Sequence, residues 1–257
     1  MTRSAPPGAQ AVLRAIRVLK AFTLEQPERD IGSLTEETGL SRATVHRLVA
    51  ALESEGLLTR SAGKASFRLG ATTAALGVRA LRSSALREGA HTELLRLARE
   101  TGETATLEVL SEGKMLILDE VLGSRLVGAS PSLGTAWAVH ATSTGKAILA
   151  EGPPDRLDEL LRAPLSRFTP RTLTDRRKLE AELRDIKGRG YAIAREELEP
   201  GYTAVGAIVR TPMEEAHAAL SVGGPSDRLD AAMVEKLGGL VKTCADDVAT
   251  RLGYERG

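Results

Sequence analysis

Residues 31–55, IGSLTEETGLSRATVHRLVAALESE, leave few folds open. A short helix is predicted from about Gly32 to Thr38, with Ile31 and Leu34 turned inward. Gly32 is a tolerable cap for it, and Gly39 suits a left-handed turn after its end. Ser41 is a good N-cap for a second helix that runs to about Glu55 and stops at Gly56. On that helix Val45, Leu48, Val49 and Leu52 repeat at i, i+3, i+4, i+7 and must face a core. Two helices joined by a tight Gly39-Leu40-Ser41 turn have the layout of a helix-turn-helix.

The opposite face of the second helix carries Ala43, Arg47 and Ala50, flanked by Thr44 and His46, with Arg42 at its start. Small residues there let the backbone approach a groove. Arg42 and Arg47 reach guanine edges or phosphates, and Thr44 reaches phosphate. The helix N-terminus at Ser41 itself favours a phosphate. Two strand-like runs follow, Leu57–Arg60 and Ala65–Leu69, around a hairpin turn at Ser61–Lys64. They sit where a wing would sit, and Arg60, Lys64 and Arg68 suit backbone or minor-groove contact. The candidate contacts to double-stranded DNA are therefore Ser41, Arg42, Ala43, Thr44, His46, Arg47, Arg60 and Lys64. A solvated helical face and an ordinary hairpin is the plain alternative. Upstream, Pro6, Pro7 and Gly8 read as a disordered lead, and a helix is predicted over Ala9–Leu24 with Val12, Ala15, Ile16, Leu19 and Phe22 on its inner face.

The texture changes after residue 70. A helix is predicted over Thr72–Glu88, with Leu76, Ala80, Leu81 and Ala85 in register, and a second over about His91–Thr101. Ala105, Leu107 and Val109 alternate with Thr106 and Glu108 as in a half-buried strand, and Met115–Leu118 is strand-like. Helices are predicted at Pro154–Leu161 and Thr174–Lys187, and strands at Ala192–Ala194, Thr203–Arg210 and Ala218–Val222. A last helix, about Asp227–Leu252, has Leu237, Val241, Cys244, Val248 and Leu252 on one face. The larger part is thus an α+β domain with a mostly antiparallel sheet. The division is 9–70 for the helix-turn-helix head, 71–88 for a linker helix and 89–253 for the second domain.

Charge agrees with this division. The net charge is +1, which excludes a polybasic chain, yet residues 1–70 hold 10 Lys and Arg against 7 Asp and Glu, and the remainder 25 against 27. The single cysteine, Cys244, excludes an internal disulfide and suits a reducing cytoplasm. No apolar stretch is long enough to span a membrane, and no signal peptide is evident.

No catalytic pattern survives inspection. Gly145-Lys146 matches the end of a phosphate loop, but Ala147 replaces the required Ser or Thr and His140 stands where the first glycine belongs. Ser143–Lys146 matches a bare S-x-x-K, without its companion motifs. His46, His91, His140 and His217 show no metal-ligand spacing. His140 reads as a hydrogen-bonded structural residue at a strand edge, and Cys244 as a buried inert thiol. No catalytic residue, metal or cofactor is expected. Glu196-Glu197-Leu198-Glu199 by itself reads as a solvated turn.

The head resembles the winged helix-turn-helix of IclR-type transcriptional regulators, through AVLRAIRVLKAF (Ala11–Phe22), TGLSRATVHRLVAALESEGLL (Thr38–Leu58) and FRLG (Phe67–Gly70). The resemblance continues through VHATSTGKAILA (Val139–Ala150), GRGYAIAREELEPGYTAVGAIV (Gly188–Val209) and ALSVGGPSDRL (Ala219–Leu229), covering about residues 9–253. It implies a cytoplasmic homodimer or homotetramer that binds operator DNA, with repression the commoner sign. It also implies a GAF-like C-terminal effector domain that binds a small organic acid or related metabolite.

By the same resemblance the effector pocket is formed by Trp137, Ser143, Thr144 and Gly145, by the segment Ala194–Ala204, which includes the acidic run, and by Ser221 and Gly223. Main-chain N–H groups at Ser143–Gly145 would receive a ligand carboxylate. Members that bind small oxo-acids tend to be polar in these loops. Ala194, Ala204, Gly223 and Trp137 therefore point to a roomier, less polar cavity for a bulkier or partly aromatic ligand. Trp137 packed in the core or at a subunit contact is the competing reading. The Thr72–Glu88 helix would carry the ligand's effect to the head and set the spacing of two heads. Two other classes stay open: an enzyme with a DNA-like head, and an oligomerising DNA-binding protein without a ligand.

Overall fold

The computed structural model describes residues 8–125, 132–211 and 218–254; the predicted lead at Pro6 and Pro7, and His217, lie outside them. The chain divides into two compact units, residues 1–83 and 84–257.

The first unit runs α1 (Gln10–Lys20), β1 (Arg29–Asp30), α2 (Ile31–Thr38), α3 (Arg42–Ser54), β2 (Leu58–Arg60), β3 (Ser66–Leu69) and α4 (Ala71–Arg82). β3 is the centre of a three-stranded antiparallel sheet in the order β1-β3-β2. This is a winged helix-turn-helix. Its core joins Val18 and Phe22 to Leu34, Val45, Val49, Leu52, Leu58 and Phe67. Two expectations change. The buried residue of α1 is Val18; Ala15 and Leu19 pack against the core part-buried and Phe22 is buried just past the helix, as expected, while Val12 and Ile16 are exposed. The cap of α2 is Asp30, not Gly32: Asp30 accepts from the Ser33 N–H at 2.8 Å and Ser33 Oγ accepts from the Asp30 N–H at 3.1 Å, a reciprocal capping box. Gly39 closes α2 at φ 65°, as predicted.

The second unit runs α5 (Ala85–Thr101), β4 (Thr104–Ser111), β5 (Lys114–Val121), β6 (Ala136–Ala138), a short 3-10 turn at Val139–Ala141, α6 (Ser143–Glu151), α7 (Pro154–Leu160), α8 (Arg176–Arg189), β7 (Ala192–Arg195), β8 (Tyr202–Val209), β9 (Ala218–Pro225) and α9 (Ala231–Arg251). The helix predicted to reach Glu88 is interrupted at Ser83-Ser84, where the Ser84 hydroxyl accepts from the Arg87 N–H and starts α5. Apolar periodicity runs across both helices and does not mark such a break; the serine cap does.

Six strands form one antiparallel sheet in the order β6-β5-β4-β9-β8-β7. The outer strand β6 carries too short an apolar run to be seen in the sequence. One face of the sheet is covered by α5 and α9, through Leu94, Leu97, Leu107, Leu220, Val241, Cys244 and their neighbours. Part of the other face is covered by α6 and α8, through Ile148, Leu179, Leu183 and Ile186. The rest of that second face is where the sequence reading changes most. Thr106 and Glu108, taken as the solvent side of a half-buried strand, are buried. They face a cavity.

Candidate nucleic-acid face and ligand cavity

In the head, α3 presents Arg42, Ala43, His46, Arg47 and Ala50 to solvent, while Val45, Val49 and Leu52 are buried. The i, i+3, i+4 spacing dictates this split. Ser41 caps the helix: its hydroxyl accepts from the Thr44 N–H at 3.3 Å and lies 2.9 Å from the Thr44 hydroxyl. Thr44 is half-buried and tied to the cap.

The wing is more self-neutralised than its residues suggest. Arg60 donates to Glu53 Oε1 at 3.0 Å and stacks over the Phe67 ring at 4.8 Å. Lys64 donates to Glu28 Oε2 at 3.1 Å, and this lysine holds the Glu28 carboxyl below its ordinary value. Glu53 lies on α3 just ahead of the wing, whereas Glu28 is distant in sequence and only the fold pairs it with Lys64. Arg68 is exposed on β3.

In the second unit a cavity of about 430 Å³ opens on the sheet face that α6 and α8 leave uncovered. Its floor comes from alternate residues of the strands: Thr104, Thr106 and Glu108 of β4, Ser221 and Gly223 of β9, and Ala204 of β8. Ile117 and Glu120 of β5 both reach it, because the register shifts between Leu107 and Glu108 and leaves Leu118 without a partner. Asp119 consequently turns to the other face, where it meets His91 Nδ1 at 2.8 Å and Arg87 at 3.2 Å. Ala141, Thr142, Ser143, Leu198 and Glu199 close the rim, with Trp137 of β6 and Tyr202 of β8.

Trp137, Ser143, Ala194, Ala204, Ser221 and Gly223 thus line one space. Thr144 and Gly145 do not. Thr144 is fully buried and donates to Glu108 Oε2 at 2.7 Å. The Gly145 N–H donates to Thr142 Oγ1 at 3.1 Å, and a β-carbon on Gly145 would come within 2.1 Å of the Val139 carbonyl oxygen. Gly145 lets α6 start tight against the preceding turn. Gly223 makes room differently: a β-carbon there would lie 2.3 Å from the Tyr202 hydroxyl oxygen.

The residues that sequence reasoning missed are the acids and hydroxyls of β4 and β5. Glu108 accepts from Thr106 at 2.9 Å and Thr144 at 2.7 Å, and Thr106 is 2.8 Å from the Ser221 hydroxyl. Burial holds the Glu108 carboxyl above its ordinary value, against the pull of these hydroxyls. Glu120 accepts from both the hydroxyl and the N–H of Ser132. Burial, and then the charges of Glu108 and Glu120, raise the Tyr202 phenol. A polar face in an interior strand was the available signal; alternation shows which residues share a face, not what covers it.

The acidic run is not a solvated turn throughout. Glu197 is buried and its Oε1 accepts from Lys146 Nζ at 2.6 Å, while Leu198 and Glu199 reach the cavity. His140 is buried beside β6, with Nε2 2.9 Å from the Ser166 carbonyl oxygen. Cys244 is buried within the sheet–helix core, and burial with the nearby Glu93 pushes its thiol up to about 12. Among the described residues no helix is long and apolar enough to cross a membrane, and no group of His, Cys, Asp and Glu is arranged to hold a metal.

Comparison with known proteins gives two family matches: the IclR helix-turn-helix domain over residues 11–62, and the bacterial transcriptional regulator IclR C-terminal domain over residues 78–250. An HTH-type transcriptional regulator of Mycobacterium tuberculosis is 35% identical over 243 residues, spanning 91% of this chain and 89% of that protein. The transcriptional repressor IclR of Escherichia coli is 28% identical over 250 residues, 96% of this chain and 91% of its own. A crystal structure of an IclR homolog complexed with 4-hydroxybenzoate, from Microbacterium hydrocarbonoxydans, superposes with a TM-score of 0.80 at 27% identity, over 95% of this chain and 99% of that one.

Proposed function

Because the chain belongs to the IclR family of transcriptional regulators, we propose that it binds operator DNA through α3 and the wing, and that a small organic metabolite in the cavity sets its operator affinity. The observation that carries this reading is the pairing, in one chain, of an exposed basic helix face and a separate 430 Å³ cavity walled by strands, Trp137 and Tyr202. Repression is the favoured sign, and the bacterial cytoplasm the place of action. Arg42 and Arg47 would read bases or phosphates, with Ser41, Thr44 and the α3 N-terminus on the backbone. Arg60 and Lys64 would exchange Glu53 and Glu28 for phosphates.

The head would act as a dimer, within a homodimer or homotetramer. Val12, Leu13 and Ile16 of α1, and Leu76 and Val78 of α4, are exposed apolar side chains in the first unit, and such groups favour a protein partner. The helices on either side of Ser83 would carry the ligand's effect to the head. A ligand shifts operator affinity only by its difference in affinity for the two states.

The test is titration of DNA from upstream of the protein's own gene. Wild type is expected to bind and Arg47→Ala to bind weakly; equal retention of both overturns the DNA reading. With a small-molecule extract of the source cells, wild type is expected to change operator affinity, and Ala204→Phe, which fills the cavity, is expected not to. An identical response from the filled variant overturns the cavity as effector site.

A further inference from the structure

The charge of the cavity argues against the carboxylate ligand that the family resemblance suggests. Glu108, Glu120 and Glu199 all line it, and none of its described lining residues is Lys, Arg or His. Two neighbouring cations are already engaged: Lys146 with Glu197, and Arg228 with both oxygens of Glu103. The sequence between Arg125 and Ser132, LVGASP, contains no charged residue.

The N-terminus of α6 is already partly engaged within the chain. Its Gly145 N–H is held by the Thr142 cap. The hydroxyl of Thr144, in the same first turn, is given to Glu108. The chain's own carboxylate thus lies beside the first turn of α6, next to where a ligand carboxylate was expected. Burial already holds Glu108 above its ordinary value, so a second carboxylate beside it adds to that cost, whereas an ammonium favours the ionised form.

Two aromatic rings line the same space, Trp137 and Tyr202. Ring faces attract cations, most strongly when water is excluded. Burial first, and then the neighbouring carboxylates, raise the Tyr202 phenol.

We propose that this cavity selects a small organic cation, an ammonium group on an apolar or aromatic body, over carboxylates. The proposal rests on the cavity being the effector site. The ammonium is held by Glu199 at the lip and Glu108 and Glu120 on the floor, with the body against Ile117, Leu122 and Leu198. The apolar lining accounts for the body, and the acids for the charge.

Trp137 is the chain's one tryptophan, so its fluorescence in the full-length protein reports on this cavity directly. Three probes share a ring and differ in charge: benzylamine, benzyl alcohol and benzoate. Benzylamine is expected to change the emission saturably, at a half-point at least tenfold below benzoate and threefold below benzyl alcohol. Glu199→Gln is expected to raise the benzylamine half-point at least threefold and leave benzyl alcohol unchanged, and Ala204→Phe to abolish the response to both. Benzoate binding as tightly as benzylamine, or benzyl alcohol matching it, overturns the selection for a cation and leaves the cavity as a ligand site. A benzylamine response that survives Ala204→Phe overturns the assignment to this cavity. No response to any probe, together with an unchanged operator affinity of wild type in the cell extract, overturns both the proposal and the effector reading.

Discussion

Lys146 Nζ lies 2.6 Å from Glu197 Oε1, with the lysine side chain 1% exposed and the glutamate 8%. The same ammonium donates to the Ile193 carbonyl at 2.6 Å. One buried cation therefore fastens α6 to β7 and to the loop that carries Leu198 and Glu199 into the cavity. Removing it strands a buried carboxylate whose second oxygen has no partner. Lys146→Met is expected to destabilise the second unit by about 3–5 kcal/mol. Adding Glu197→Gln should recover part of that loss. Chemical denaturation of the four proteins in the cycle measures the coupling, and additive losses would sink the pairing as an energetic unit.

On the DNA side, Arg47 is exposed on α3 and touches none of the head's core. Arg47→Ala is expected to weaken specific DNA by about 1–3 kcal/mol with the melting temperature unchanged. Lys64→Ala is expected to weaken all sequences alike and flatten the salt slope by about one unit. Fluorescence anisotropy over a range of salt concentrations distinguishes the two.

The Glu108 carboxyl titrates above its ordinary value of 4.5 because it is buried. The folded protein holds this proton to higher pH than the unfolded chain does. Between the two pKa values the folded state binds more protons, so this group's contribution to stability falls as pH rises from 4.5 through the raised value. Glu108→Gln, which stays neutral, is expected to gain in melting temperature relative to wild type as pH goes from about 5 to about 8. A difference that does not change across that range would show that the folded carboxyl is not perturbed.

Gly223 and Tyr202 compete for one volume, since a β-carbon at Gly223 would lie 2.3 Å from the Tyr202 hydroxyl oxygen. Gly223→Ala is expected to displace the ring and to cost about 1–3 kcal/mol. Combining it with Tyr202→Ala should remove most of that penalty. Thermal unfolding of the single and double variants provides the check.

Much of the fold was legible because local rules decide it. The Ser41 cap, the Val45–Leu52 face and Gly39 define the head from a few neighbouring residues. The α9 stripe through Val241, Cys244 and Val248 marked a buried helix face on spacing alone. The inner face of α1 was less legible, since Val12 and Ile16 are left outside and the spacing cannot say which of its apolar residues meet the core. The break at Ser83-Ser84 was hidden because the helical pattern resumes in phase.

The candidate cavity was legible only in part. Trp137, Ser143, Ala194, Ala204, Ser221 and Gly223 were singled out through family motifs, and the fold gathers them. Glu108 and Glu120 were not, although their strands had been recognised.

The sequence by itself determined most of the elements, the two-part organisation and the exposed face of α3, because capping and periodicity act over a few residues. Only the tertiary structure decided the charge environments. It paired Lys64 with Glu28 and Arg60 with Glu53, buried Lys146 against Glu197, and turned Glu108 and Glu120 to one cavity. The cause is physical: strand alternation sorts side chains onto two faces, but what covers a face depends on segments far away in the chain. Electrostatic consequence follows that covering, since burial and distance set how strongly two charges act on one another.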